Sequence, residues 1–332
     1  MHILIIGGTR FVGRHITEAA IAAGHEVSLL HRGQTGPELF PEAEHLRADR
    51  NADLSILRDR RWDATIDVSA YVPSQIVSLA GAVSTGRYVF ISSTSVYAVP
   101  EAPGFAEDSP LTEFDGPVPE TVTGATYGAL KVACERTAVD SFGPGTLIVR
   151  PTYVIGPYDY TGRFTYWVNR IARGGEVLAP GDPSDPIQVI DGRDMAAWII
   201  TVIEKAGSDE KAGAGTFHAV SPAPPFSFGD MLEAIVAEVG PPGTTLTWVG
   251  TDFLLAEGED GRSLPLWSEG NEGMAANTAD PAAATAAGLT PRPLGRSVRE
   301  IHASEAGFST DTMLSPAREA DLLAGWRSRP ES

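Results

Sequence analysis

The chain has 332 residues, 42% of them hydrophobic and 20% charged, a mixture that supports a sizeable buried core and excludes wholesale disorder. Its formal charge of −18 at pH 7 repels phosphate backbones and anionic lipid, so neither nucleic acid nor a membrane surface is expected as a partner. A single cysteine, Cys134, cannot close an internal disulfide, and no basic leader or run of about 18 apolar residues is found; the expectation is a cytoplasmic protein.

Residues 3–6 form a short apolar strand that breaks into Gly7-Gly8-Thr9-Arg10-Phe11-Val12-Gly13 and then into a helix stopped by Gly24. Residues 26–31 read as a second strand and 45–48 as a third. Strands four and five are expected at 63–68 and 87–92, separated by a helix beginning near Pro73, and a sixth at 146–150 follows a helix that carries Tyr127. This alternation predicts a parallel sheet covered by helices on both faces, a doubly wound α/β fold. After Pro151 the texture changes. Gly156-Pro157, Gly174-Gly175, Pro180-Gly181-Asp182-Pro183 and Pro222-Ala223-Pro224-Pro225 punctuate shorter elements. Helices are expected around 161–173, 191–205, 227–238 and 294–304, with a loop over 257–273. The predicted organisation is a dinucleotide-binding Rossmann domain over 1–155 and mainly a smaller C-terminal substrate-binding lobe over 156–332, from which some segments return to the first domain.

A glycine turn leading from a first strand into a helix lets backbone N–H groups and the helix dipole approach a pyrophosphate. Gly7, Gly8, Thr9, Arg10, Phe11, Val12 and Gly13 are therefore candidate cofactor residues, and Asp49, Ser69 and Lys131 are placed with them. The residue ending the second strand normally reports the preferred dinucleotide, because an acid there bonds the ribose and repels a 2′-phosphate. Here His31 stands at that point with Arg32 behind it, and Arg10 could add a second guanidinium; this favours NADP over NAD.

Tyr127 and Lys131 are four residues apart on the helix and share a face. Lys131 is one of three lysines in a chain that otherwise uses arginine. A cation there would favour the phenolate and lower the tyrosine pKa, preparing Tyr127 to exchange a proton at a carbinol or carbonyl carbon. Cys134, seven residues on, reads as a small buried apolar residue of the same helix.

With the glycine turn, Ile91-Ser92-Ser93-Thr94-Ser95-Val96-Tyr97 and Tyr127-Gly128-Ala129-Leu130-Lys131 in hand, the chain resembles an extended short-chain dehydrogenase/reductase of the NAD(P)-dependent epimerase/dehydratase family. The turn is more similar to the atypical branch, which includes reductase-like proteins and chloroplast RNA-binding relatives. Segments 107–110, 149–157, 191–196 and 287–291 extend the likeness almost to the end. The resemblance implies that Ser93 bonds the reacting oxygen, Tyr127 is the acid/base, and Lys131 holds the nicotinamide ribose. Several positions depart from the family pattern. The asparagine of the usual tetrad has no counterpart near Val72 or Pro73, and Thr94 and Ser95 replace the carboxylates of sugar dehydratases. Ile187 or Gln188 stands where a basic residue meets a nucleotide-sugar diphosphate, leaving Arg163, Arg170 or Arg193 to substitute. Thr94, Tyr153, Tyr158, Arg163, Trp167 and Trp267 are the candidates to line the substrate site. The expected activity is hydride transfer at a hydroxyl or carbonyl carbon of a small, sugar-like molecule. Epimerisation by internal redox and a nucleotide-binding or RNA-associated scaffold stand as alternatives. No metal is expected, and a homodimer is common in the family.

Overall fold

The computed structural model describes residues 1–100, 102–206, 213–220, 226–268, 270, 276–304 and 311–329. The first half keeps the predicted order and adds two short strands, β4 and β6, which pair with each other: β1 (His2–Ile6), α1 (Phe11–Ala22), β2 (Glu26–His31), β3 (Glu44–Arg47), β4 (Arg61–Trp62), β5 (Ala64–Asp67), α2 (Pro73–Ala80), β6 (Ser84–Thr85), β7 (Tyr88–Ile91), α3 (Gly124–Phe142) and β8 (Leu147–Pro151). Beyond Pro151 come β9 (Tyr153–Ile155), α4 (Arg163–Ala172), β10 (Glu176–Pro180), β11 (Val189–Asp191), α5 (Gly192–Ala206), β12 (Gly215–Ala219), α6 (Phe228–Val239), β13 (Thr245–Val249) and α7 (Thr251–Ala256). Among the described residues α8 (Ala282–Ala286), α9 (Leu294–His302) and α10 (Pro316–Arg327) follow.

The central sheet is parallel and seven-stranded in the order β12-β8-β7-β5-β1-β2-β3. Side chains of a strand alternate between faces, and β1 shows the consequence. Ile3 and Ile5 pack with Ile16 and Ala20 of α1 and with Met195, Ile199 and Ile203 of α5. Leu4 and Ile6 face the other way, with Ile76 and Leu79 of α2 and Cys134 and Ala138 of α3. Strand order reverses at β1, between β2 and β5, so the carboxyl ends of these strands open the crevice where such sheets bind ligands.

The second half divides its elements between two cores. Helix α5 and strand β12 complete the sheet layer. The lobe has its own core, in which Phe164, Trp167 and Ile171 of α4 meet Leu178 of β10, Met231 and Ile235 of α6, Val298 and Ile301 of α9 and Leu322 and Leu323 of α10. Glycines 174 and 175, at φ of 73° and 74°, end α4 where the sequence places a break. Residues 222–225 lie outside the described residues, as do 269 and 271–273 of the expected loop.

Candidate active site

A cleft of about 1130 Å³ runs along the carboxyl ends of β1, β2, β5 and β7 to the edge of the lobe. It exceeds the roughly 300–1,000 Å³ of sites that hold one small ligand, leaving room for a dinucleotide and a second molecule. Gly7, Thr9, Arg10, Phe11 and Val12 form its floor at one end, and Ser93, Tyr127 and Lys131 stand at the other.

The glycine turn is built by close approach. Gly7 has φ 88°, a left-handed conformation that glycine adopts without a Cβ clash. A Cβ on Gly13 would lie 2.0 Å from the Gly7 carbonyl oxygen, so only glycine lets α1 start directly against the turn. Thr17 locks the arrangement, its hydroxyl shared between the carbonyls of Gly8 and Gly13 at 2.9 Å each. Gly8 and Gly13 thus shape the turn from behind, whereas Ser69 and Asp49 reach the cleft itself. Ser69 is held by Arg50, which donates to its hydroxyl at 3.2 Å and pairs with the buried Asp67. Asp49 accepts from the backbone and side chain of Asn51 at 2.9 and 3.0 Å. The cradle and its cationic rim fit a dinucleotide.

At the end of β2, His31 is a neutral wall residue and supplies no charge to a phosphate. Its Nδ1 accepts from the Gly33 N–H at 3.0 Å, so its Nε2 carries the proton and donates to His45 Nδ1 at 2.8 Å. His45 Nε2 then donates to the Phe40 carbonyl at 3.1 Å. Burial, with His45 and the charge of Arg47 beside it, holds the His31 pKa below its usual value. Arg32 lines the cleft, and Arg10 lays its guanidinium 3.4 Å from the ring centre of Tyr160. Arg47, which sequence reasoning passed over, sits under Gly33: a Cβ there would lie 3.0 Å from its Nη1.

The catalytic end depends on two close packings. Ser93 caps the short turn Thr94–Val96; its hydroxyl accepts from the Ser95 N–H at 3.1 Å and donates to the Ser95 hydroxyl at 3.0 Å. Helix α3 begins at a reciprocal Thr123 and Thr126 cap, one turn before Tyr127. Gly128 lets that helix touch the serine turn, since a Cβ there would lie 2.1 Å from the Ser95 carbonyl oxygen. The spacing between Ser93 and Tyr127 rests on this missing side chain.

Lys131 is buried and does not act on Tyr127 as the sequence predicts. Its ammonium donates to the carbonyls of Ala70 at 2.9 Å and Ile91 at 2.8 Å, and it lies 6.0 Å from the centre of the Tyr127 ring. Burial lowers its pKa to about 8. Tyr127 moves the other way: burial raises its pKa, while the Ser93 hydroxyl and the charge of Arg163 oppose the rise. With its pKa raised by burial, the phenol keeps its proton at pH 7 in the ligand-free protein.

The six substrate candidates separate. Thr94, Tyr153 and Arg163 line the cleft. Trp167 does not; it is fully buried in the lobe core, where its indole N–H donates to the Pro265 carbonyl at 2.6 Å. Trp267 also belongs to that core and packs against Gly181. Tyr158 sits outside the cleft under the guanidinium of Arg14, 3.4 Å from its ring centre. Aromatic type alone cannot distinguish a pocket wall from a core, and the apolar face of α4 claims Trp167. Arg170 and Arg193 are likewise spent on structure, paired with Glu319 and with Asp191 at 2.5 and 2.6 Å. The wall contains residues the sequence did not single out, including Tyr71, Tyr160, Thr152 and Asn277. Among the described residues no cluster of His, Cys, Asp or Glu could hold a metal, and no helix is long and apolar enough to cross a membrane.

The sequence profile of the NAD dependent epimerase/dehydratase family matches residues 3–85 and 60–214. A chloroplast stem-loop binding protein of 41 kDa b from Arabidopsis thaliana is 24% identical over 233 residues, 65% of this chain and 57% of that protein. The chain thus spans little more than half the length of that relative. An isoflavone reductase homolog, IRL, from Zea mays is 28% identical over 238 residues, covering 69% of this chain and 72% of its own. Among solved structures, a UDP-glucuronic acid 4-epimerase from Bacillus cereus in complex with NAD superposes with a TM-score of 0.64 at 17% identity, covering 91% of this chain and 96% of that one.

Proposed function

The chain belongs to the NAD dependent epimerase/dehydratase family, and on that premise we propose that it is an oxidoreductase that moves a hydride at a hydroxyl- or carbonyl-bearing carbon of a small molecule. The observation that carries this reading is Tyr127 packed against the Ser93 turn at the far end of a dinucleotide-sized cleft. A bound nicotinamide supplies the hydride donor or acceptor. Ser93 donates a hydrogen bond to the reacting oxygen, and Tyr127 gives or takes its proton. Lys131 is fixed by two carbonyls, which leaves one of its three N–H bonds for the nucleotide ribose. Because burial keeps the Tyr127 phenol protonated at neutral pH, the ligand-free site is set to protonate a carbonyl oxygen during reduction.

NADP is the proposed nucleotide. No acid closes β2, and Arg32 and Arg10 both line the cleft, where their guanidinium groups could meet a 2′-phosphate. Epimerisation by internal redox is the second reading. The stack of Arg10 on Tyr160 joins the glycine turn to the segment leading into the lobe, a contact suited to retaining the nucleotide between two half-reactions.

The test mixes nucleotide-loaded protein with a panel of secondary alcohols and ketones and follows reduced-nicotinamide absorbance. Transfer to a panel member supports the proposal; tight nucleotide binding with no transfer to any member favours a nucleotide-binding scaffold. For the cofactor, Arg32→Asp is expected to weaken NADP more than NAD, and equal weakening would refute the phosphate contact.

A further inference from the structure

The serine turn is also tied to a buried polar chain that takes no part in the proposed chemistry. Tyr97 ends the turn that Ser93 begins. Its hydroxyl accepts from Arg150 Nη1 at 2.5 Å and lies 2.5 Å from His218 Nε2. Arg150, on β8, donates from Nε and Nη2 to the Glu135 carboxylate of α3 at 2.9 and 2.6 Å, and from Nη1 to the Glu107 carbonyl at 2.8 Å. His218, on β12, is fully buried; its Nδ1 lies 2.9 Å from the Asp280 carbonyl oxygen, and its backbone N–H donates to the Glu107 carboxylate at 3.0 Å. Phe105 packs edge-on against both the Tyr97 and the His218 rings.

The two ends of this chain fix its protons, because a guanidinium only donates and a carbonyl only accepts. Nδ1 of His218 therefore carries the ring proton, and Nε2 is left to accept the proton of the Tyr97 hydroxyl. The order Glu135, Arg150, Tyr97, His218 joins α3, which carries Tyr127 and Lys131, to the turn that carries Ser93. Gly128 sets how closely those two elements touch, and the polar chain is a second tie between them.

We propose that His218 is a positioning residue for the hydride transfer: as the neutral acceptor of the Tyr97 hydroxyl, it fixes the Ser93 turn relative to Tyr127. The inference rests on the reading of Ser93 and Tyr127 as the reacting pair, and it gives the site an acid limit. A protonated His218 would present Nε2–H to a hydroxyl that already accepts from Arg150. The Tyr97 proton would then lose its acceptor, and a second cation would stand beside the guanidinium. Burial above all, with the charge of Arg150, holds the His218 pKa below its usual value against the opposing charges of Glu107 and Asp280; the Glu135 charge is paired with Arg150. The ring is thus neutral at pH 7, and the tie is lost as pH falls through that lowered value.

The test reads the imidazole and the phenol by NMR, in full-length protein labelled at histidine nitrogens and tyrosine ring carbons and assigned with His218→Gln and Tyr127→Phe. His218 is expected as the Nδ1–H tautomer at pH 7. Leucine at this position offers no acceptor, whereas glutamine offers an oxygen and does not titrate. Burial raises the Tyr127 pKa and the Ser93 hydroxyl opposes the rise, so a displaced turn raises it further. His218→Leu should therefore raise the Tyr127 pKa, and His218→Gln should leave it near the native value. With the best substrate of the panel, His218→Leu should lower kcat by about 10- to 100-fold at unchanged nucleotide affinity. His218→Gln should recover most of that loss and remove the acid limb of the native pH profile. An Nε2–H tautomer, a Tyr127 pKa identical in all three proteins, or an acid limb that survives His218→Gln overturns the inference. Should His218→Leu not fold, the tautomer and the His218→Gln profile decide. The expected tautomer and Tyr127 shifts without hydride transfer to any panel member would sink the redox reading alone. Hydride transfer with identical Tyr127 pKa values in the three proteins would sink this inference alone.

Discussion

Replacing Arg50 by methionine removes one half of an ion pair buried beneath the nucleotide end of the cleft. Asp67 is fully buried and accepts from Arg50 Nη1 at 2.6 Å, Arg50 Nη2 at 2.9 Å, the Tyr88 hydroxyl at 2.9 Å and the Ser69 N–H at 3.1 Å. Without the guanidinium the carboxylate keeps two neutral donors and no ion-pair partner, with only the more distant charge of Lys131 to oppose its own. Breaking such a pair from one side destabilises by about 3–5 kcal/mol, a large share of a total of roughly 5–15 kcal/mol. Arg50→Met combined with Asp67→Asn removes the stranded charge and should recover about half of that loss. The pH dependence has a definite sign. Burial pushes the Asp67 pKa up, but the charge and hydrogen bonds of Arg50 and the Tyr88 hydrogen bond outweigh it and hold the carboxyl below its usual range. In the native protein this contribution is therefore complete above the unfolded pKa of about 3.9 and is lost as pH falls through the lower folded value. In Arg50→Met the charge and hydrogen bonds of the guanidinium are gone, and the Tyr88 and Ser69 donors alone oppose burial, so the Asp67 pKa moves up, the variant protonates Asp67 earlier and its deficit narrows as pH falls from 7 toward about 5. Urea unfolding of the four proteins of the cycle, followed by circular dichroism at both pH values, measures this. A deficit of less than about 1 kcal/mol at pH 7, or one that widens on acidification, would refute the reasoning.

Two further outcomes follow from close packing and burial. Gly128→Ala must displace the Ser95 carbonyl, which would lie 2.1 Å from the new methyl group. Because a misplacement of about 1 Å can lower turnover by about 100-fold, the variant should lose kcat while nucleotide affinity stays within about twofold; unchanged kcat would show that the serine turn adapts freely. Cys134 is fully buried and burial pushes its thiol up to about 12, so iodoacetamide should label it in urea and leave it unlabelled in the native protein at pH 7; rapid native labelling would contradict the packing of α3 on the sheet.

The nucleotide-binding half was legible because its central strands β1, β5 and β7 are largely apolar and stand between glycine turns and helices, whereas β3, Glu-His-Leu-Arg, is mostly polar. The alternation of Ile3 and Ile5 against Leu4 and Ile6 carries the two-faced burial directly. The second half was harder to read for physical reasons. Strand β12, with the sequence Gly-Thr-Phe-His-Ala, is short and only partly apolar, and it becomes a strand by pairing with β8 after a long excursion of the chain. The tryptophans illustrate a second limit, since Trp167 is claimed by the lobe core through helix periodicity and through a carbonyl 98 residues away. Lys131 shows the third. Its spacing from Tyr127 was visible, but the two carbonyls that bind it and the burial that lowers its pKa are tertiary facts. Arg163 was one of three arginines weighed for the substrate side, and only the pairing of Arg170 and Arg193 elsewhere singles it out.

Tyr127 is the proposed proton carrier of the hydride transfer. Its most direct test is the single-turnover rate of Tyr127→Phe against the native protein, both saturated with nucleotide and given the best substrate of the panel. Loss of the phenol hydroxyl should slow transfer by about 100- to 10,000-fold, the range of a positioned general acid, with nucleotide affinity unchanged. A rate within a few-fold of the native protein would contradict the assignment and leave the Ser93 and Tyr127 pairing a matter of packing alone.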